Sequence, residues 1–297
     1  MDQAEQLRNI VKLQNQAQPQ KVARVITVTS GKGGVGKSNM SVNLALQLRR
    51  LGKRVIIFDA DFGLANVEVL FGAIPQYNLG DVIYRDKNIK EVITTGPMDI
   101  GFISGGTGIE GLGNLDKPQI EKLVSNLAEL DSLADVIIVD TGAGISDSVL
   151  EFVMSGNEVV LVTTPEPTSI TDSYSLLKAL NRSPDFASSD IRIRVVVNRV
   201  MSGADGRSLF SKLDVVVNRF LNLNIEYLGA VPQDDNILKA VMKQTPVSLE
   251  YPNSKSARAF EDIAAMLVAE QDGESQTVKK KGIAGLFSGF MSKRRFK

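Results

Sequence analysis

The run Val25-Ile26-Thr27-Val28-Thr29 leads directly into Ser30-Gly31-Lys32-Gly33-Gly34-Val35-Gly36-Lys37-Ser38, and no other stretch constrains the fold so tightly. The pattern G-x-x-x-x-G-K-[ST] closes at Ser38, and a helical pattern opens at Asn39. Glycines let successive backbone N–H groups turn inward around phosphate oxygens without Cβ clashes. The start of a helix adds its partial positive charge. Gly31, Gly33, Gly34, Val35, Gly36 and Asn39 are therefore expected to cradle phosphates, with Lys37 on the β- and γ-phosphates and the Ser38 hydroxyl on Mg²⁺. A loop of this kind works between a strand and a helix, which predicts an α/β sheet.

The rest of the middle zone agrees. Short, β-branched runs at Val55–Phe58, Ile100–Ser104, Val136–Val139, Val159–Thr163, Ile193–Val197 and Tyr227–Val231 are apolar on both faces, as in a parallel sheet covered on both sides. Helical patterns lie between most of them, at 39–51, 117–130, 146–154, 169–180, 206–220 and 256–268. The expected fold is α/β: a doubly wound, mostly parallel sheet with helices on both faces. Residues 21–270 form this domain. Residues 1–20 are polar and Gln-rich, and 271–297 form a linker followed by a basic, apolar tail.

Composition excludes several chemistries. The 297 residues contain no Cys, His or Trp. That leaves no thiolate nucleophile, no imidazole base and no ordinary zinc site. Carboxylates, lysines, backbone amides and hard cations remain. Lys+Arg and Asp+Glu balance at 34 each, so no overall basic field draws in nucleic acid, and none is expected as a partner. The apolar stretches are strand-sized and Met1-Asp2-Gln3-Ala4-Glu5 is no secretory signal, so a cytoplasmic location is expected.

Two strand ends carry aspartates: Asp59-Ala60-Asp61 after Phe58, and Asp140-Thr141-Gly142 after Val139. A carboxylate at the same sheet edge as the phosphate loop suits magnesium through water, and Asp140 is the natural candidate. Asp61 is placed to orient or deprotonate the attacking water. Asp59 divides evenly between a weak metal role and capping a turn. Lys32 is the second lysine in a loop that needs one; a lysine unable to reach its own phosphates is available to a partner's.

Lys32-Gly33-Gly34-Val35-Gly36-Lys37-Ser38, with Asp59-Ala60-Asp61 and Asp140-Thr141-Gly142, resembles the deviant-Walker ATPases of the MinD/ParA group over about residues 22–268. The resemblance implies an ATP-dependent homodimer in which Lys32 contacts the partner's nucleotide, Asp61 activates water and Asp140 binds magnesium. Gly63-Leu64-Ala65-Asn66 and Thr164-Pro165-Glu166-Pro167 also look like MinD-type segments, which implies a nucleotide contact for Glu166. Where related GTPases carry N-K-x-D, this chain has Asn198-Arg199-Val200-Met201. Methionine cannot accept guanine's two hydrogen bonds, so adenine is favoured. Asn198 and the backbone around Pro232 and Asp234 are the expected readers, and the cofactors are ATP and Mg²⁺. Iron–sulfur relatives of this fold need cysteines, which are absent.

The two termini narrow the choice. From Lys279 to Lys297 there are seven basic residues and no acidic one, with Ile283, Leu286, Phe287 and Phe290 at i, i+3, i+4, i+7. This spacing predicts an amphipathic helix that folds on an anionic membrane surface, with peripheral and reversible attachment. The rival reading is a basic tail for nucleic acid or a partner groove. Asp2-Gln3-Ala4-Glu5-Gln6-Leu7-Arg8 resembles the N-terminal peptide of the FlhG family of flagellar-number regulators. The resemblance implies that Asp2, Gln3, Leu7 and Arg8 dock on the GTPase FlhF and stimulate it. Flagellar switch (C-ring) proteins are the other implied partners. A frayed terminus, a MinD-type division-site regulator and a nucleotide-gated scaffold with negligible turnover are the alternatives.

Overall fold

The computed structural model describes residues 22–61, 66–106, 116–183, 186, 191–273 and 282–294. The peptide residues Asp2, Gln3, Leu7 and Arg8 lie outside them, as do Gly63 to Ala65. The strands are β1 (Arg24–Thr29), β2 (Val55–Ala60), β3 (Thr94–Thr95), β4 (Gly101–Ile103), β5 (Val136–Thr141), β6 (Glu158–Thr163), β7 (Arg192–Val200) and β8 (Glu226–Pro232). They form one sheet in the order β3-β4-β2-β5-β1-β6-β7-β8. Among the described strands, only the β3–β4 pairing is antiparallel. This is the expected doubly wound sheet.

Both faces of the central strands are buried, which is why their sequences are apolar throughout rather than alternating. On one face, Ile26, Val28, Ile57 and Ile138 pack under α1 (Lys37–Arg50) and the long helix 255–273. On the other, Val25, Phe58, Ile137 and Val139 pack with Leu123, Leu127 and Leu130 of helix 117–133. The register places Asp140 level with Val28 of β1 on one side and Asp59 of β2 on the other. The sheet order alone therefore brings the phosphate loop and both aspartate-bearing strand ends to one edge. Among the described residues, no helix is long and apolar enough to cross a membrane.

The C-terminal segment differs from expectation. The sequence predicts that its apolar stripe orders at a lipid surface. The structure instead folds residues 283–294 into a helix docked between helix 117–133 and helix 147–155 of the same chain. Ile283, Leu286 and Phe287 are wholly buried, while the Phe290 side chain lies outside the described ones. Phe287 meets Phe58 at 5.1 Å and Phe152 at 5.4 Å between ring centroids, both edge-to-face. The Asp131 carboxylate accepts the Ile283 N–H at 3.2 Å, capping the helix from a neighbouring element. A Cβ on Gly282 would overlap that carboxylate. Burying three large apolar side chains, at about 1.5–3 kcal/mol each, outweighs the helix-weakening glycines.

Phe287→Ala is expected to lower the unfolding free energy by about 3–5 kcal/mol, because it empties a buried aromatic site. Hydrogen exchange should rise across residues 283–294 in the same variant. Unchanged protection there would contradict the docked arrangement.

Candidate nucleotide site

β1 ends at Thr29 and α1 begins at Lys37, so the phosphate loop occupies 30–36 between a strand and a helix. Gly34 and Gly36 have φ of +78° and +96°, the left-handed region that glycine enters without penalty. A Cβ at Gly36 would lie 2.4 Å from the Asn198 amide nitrogen. A Cβ at Gly31 would run into the backbone at Asp172 of the helix 167–181. The Ser30 carbonyl accepts the Gly144 N–H at 2.9 Å, which ties the loop to the segment after β5.

The two loop lysines occupy opposite environments. Lys37 is buried, and its ammonium bonds Asp140 Oδ1 at 2.9 Å. Ser41 Oγ donates to the same oxygen at 2.9 Å. The other oxygen, Asp140 Oδ2, is fully buried without a hydrogen-bond partner. A carboxylate oxygen in that position is normally satisfied, so its surroundings fit a hydrated cation. Lys32 lies on the exposed rim, 3.1 Å from Glu166 Oε2 and 2.9 Å from Thr168 Oγ1. The loop has separated its cations into an inner and an outer one.

Asp59 has taken the turn-capping alternative. Its two oxygens accept the backbone N–H groups of Asp61 at 3.1 Å and Val67 at 3.2 Å. Burial, and then the neighbouring Asp140 carboxylate, push its pKa up to about 7. Asp61 accepts from the Asn66 amide at 3.3 Å and borders a cavity of about 260 Å³ with Gly142 and Ala143. It therefore sits at the mouth between the two aspartate-bearing strand ends.

A larger cavity of about 560 Å³ lies on the other side of the loop, between Gly36, Asn39, Asn198, Pro232 and Phe260. Its size and mixed lining suit a base. Asp234 borders it, but its carboxylate is spent on Asn236 N–H at 3.0 Å and Ser256 Oγ at 2.8 Å. Asn198 also has structural duties: its Nδ2 donates to the Val35 carbonyl at 2.7 Å and its Oδ1 accepts from Arg199 N–H at 2.9 Å. Sequence reasoning missed Ser41 and Arg199. Ser41 stands one helical turn beyond Lys37, and that spacing is the signal that points to it.

Comparison with known proteins agrees with this geometry. The family model described as ParA, NUBPL iron-transfer P-loop NTPase, matches residues 21–268. The iron transfer in that description has no counterpart here, where no cysteine is present to hold a cluster. The chain is 44% identical over 241 residues to the antiactivator FleN of Pseudomonas aeruginosa, covering 81% of this chain and 85% of that one. It is 33% identical over 267 residues to the flagellum site-determining protein YlxH of Helicobacter pylori, covering 89% and 88%. The septum site-determining protein MinD of Pyrococcus horikoshii OT3, solved with Mg-ADP, superposes with a TM-score of 0.65 at 22% identity, over 86% of this chain and 99% of that one, and shares the fold. The chain belongs to the MinD/ParA family of P-loop ATPases.

Proposed function

We propose that this ATPase is a switch that dimerises around ATP, resets by hydrolysis, and sets the number and placement of flagella. The separation of Lys32 from Lys37 carries the reading. Lys37 stands where it can exchange Asp140 for the terminal phosphates of the bound nucleotide. Lys32, held on the rim by Glu166 and Thr168, faces outward and is available to a second copy. In the dimer each Lys32 acts in trans, as an arginine finger does, and Glu166 is released to the partner's nucleotide.

Bound Mg²⁺ would supply charge neutralisation on the phosphates, and the Ser38 hydroxyl and Asp140, through water, would hold it. Asp61 orients the attacking water and accepts its proton. The cavity beside Asn198 and Pro232 takes adenine. The flagellar role draws its support from the likeness to FleN and YlxH. FlhF, engaged through Gln3 and its neighbours, and the flagellar C-ring proteins are the proposed partners.

The membrane reading takes a different form from one based on a free tail. Ile283, Leu286 and Phe287 can meet lipid only after the terminal helix leaves its groove. Attachment to the inner face of the membrane is therefore proposed to need two events: undocking, and dimerisation, which presents two helices at once and raises avidity by ~10²–10⁴.

Five experiments test this reading. Lys37→Ala is expected to weaken ATP binding by about a hundredfold or more, because it removes the main cation on the phosphates. Lys32→Ala should bind ATP as a monomer but neither dimerise nor hydrolyse it, and wild-type dimerisation by that variant would refute the trans role. Asp61→Ala should accumulate an ATP-bound dimer on size-exclusion chromatography; a strictly monomeric variant would count against the assignment. Gln3→Ala should keep normal ATPase activity and lose stimulation of FlhF. For the membrane, Asp131→Ala loosens the groove without touching the apolar stripe. It should increase flotation with anionic liposomes in the absence of ATP, and flotation no better than native would argue against undocking.

A further inference from the structure

We propose that Arg199 is a positioning residue for the phosphate cradle: it braces the loop from outside so that its N–H groups stay turned inward. The inference rests on reading residues 31–38 as the nucleotide site. A peptide unit is planar and trans, so holding its carbonyl on one side fixes its N–H on the other. Arg199 Nη2 donates to the Gly34 carbonyl at 2.8 Å, and Asn198 Nδ2 donates to the Val35 carbonyl at 2.7 Å. Those two contacts set the directions of the Val35 and Gly36 N–H groups. Both units adjoin glycines in the left-handed region, where a peptide flip meets little steric resistance. Without the brace, the cradle would share its population with flipped forms that present carbonyl oxygens to phosphate.

The chain distorts itself to aim this side chain. Arg199 has φ +59°, an uncommon conformation for a residue with a long side chain. The β7–β8 register shifts between Asn198 and Val200, so Arg199 is the bulge residue, and bulges re-aim side chains. Asn198 Oδ1 accepts the Arg199 N–H at 2.9 Å and holds the bulge in place. The guanidinium is steadied from a second side by Glu166, with Nη1 3.8 Å from Oε1. A planar fork spans carbonyl and carboxylate together, which a single ammonium does not.

Arg199→Gly tests the brace, because its effects on stability and binding should diverge. Glycine accepts φ +59° freely, so thermal stability should hold or rise. Affinity for Mg-ADP, chosen because it bypasses ATP-driven dimerisation, should fall by about tenfold. Mg-pyrophosphate, competed against a fluorescent ADP at fixed salt, should lose affinity by a similar factor, since the cradle itself is impaired. Native affinity of Arg199→Gly for Mg-ADP would overturn the proposal. Loss of ADP affinity with pyrophosphate affinity unchanged would overturn it too, making Arg199 a reader of the nucleoside. A native chain that bound neither ligand would sink the nucleotide-site reading itself, a separate failure.

Discussion

The site depends on one ion pair that the sheet removes from water. Asp140 is wholly buried and Lys37 nearly so, and their contact of 2.9 Å joins the phosphate loop to the end of β5. Deleting either partner would leave an uncompensated charge in the interior, a cost on the order of 3–5 kcal/mol. Under the proposed function a nucleotide would divide the pair, with phosphate oxygens taking the place of the carboxylate for Lys37 and a hydrated cation that of the lysine for Asp140. Ser41 donates to the same Asp140 oxygen that Lys37 meets. The orphaned Oδ2 is the second half of the same design.

Around that pair the rim is organised by Glu166, which faces both Lys32 and Arg199. One carboxylate thus connects the outer lysine of the loop with the arginine that meets the Gly34 carbonyl. Removing Glu166 to a partner's nucleotide would change both contacts in one motion. The terminal helix is tied to the same region from below. Phe287 packs on Phe58, whose chain neighbour is Asp59, and on Phe152 of the helix that follows the Asp140 loop. The groove that holds the helix is thus built in part from the elements that carry the two aspartate-bearing strand ends.

Much of this was legible in the residues. The loop motif and the doubly apolar strands lead to the parallel sheet, because a strand buried on both faces leaves an unmistakable run. Asp61 and Asp140 stand out as carboxylates where apolar strands end beside the phosphate loop, and Lys32 as a second lysine in a loop that needs one. Other features were not legible for physical reasons. The short helices 79–84 and 89–92 are held by capping boxes from Asn78 and Asn88, too brief to show a period. Arg194 is fully buried inside β7, paired with Glu158 across the sheet, where the composition of its strand gives no warning. The stripe of Ile283, Leu286 and Phe287 announces that something covers it without saying what. Arg199 stands out through its backbone angle, its place in the β7 bulge and its bond to the Gly34 carbonyl, none of which a residue type reports.

The claim that each active site is completed by the other subunit is tested most directly by mixing two inactive variants. Lys32→Ala keeps its own Asp61, and Asp61→Ala keeps its own Lys32. A hybrid dimer then contains one complete site, built from the Asp61 of one chain and the Lys32 of the other. Equal amounts mixed before adding Mg-ATP should restore ATP hydrolysis that neither variant shows alone, up to roughly a quarter of the native level, the limit that unbiased pairing would set for hybrids with one live site of two. Hydrolysis clearly above that of either variant alone would establish the shared site. A mixture as inactive as its two components would contradict it.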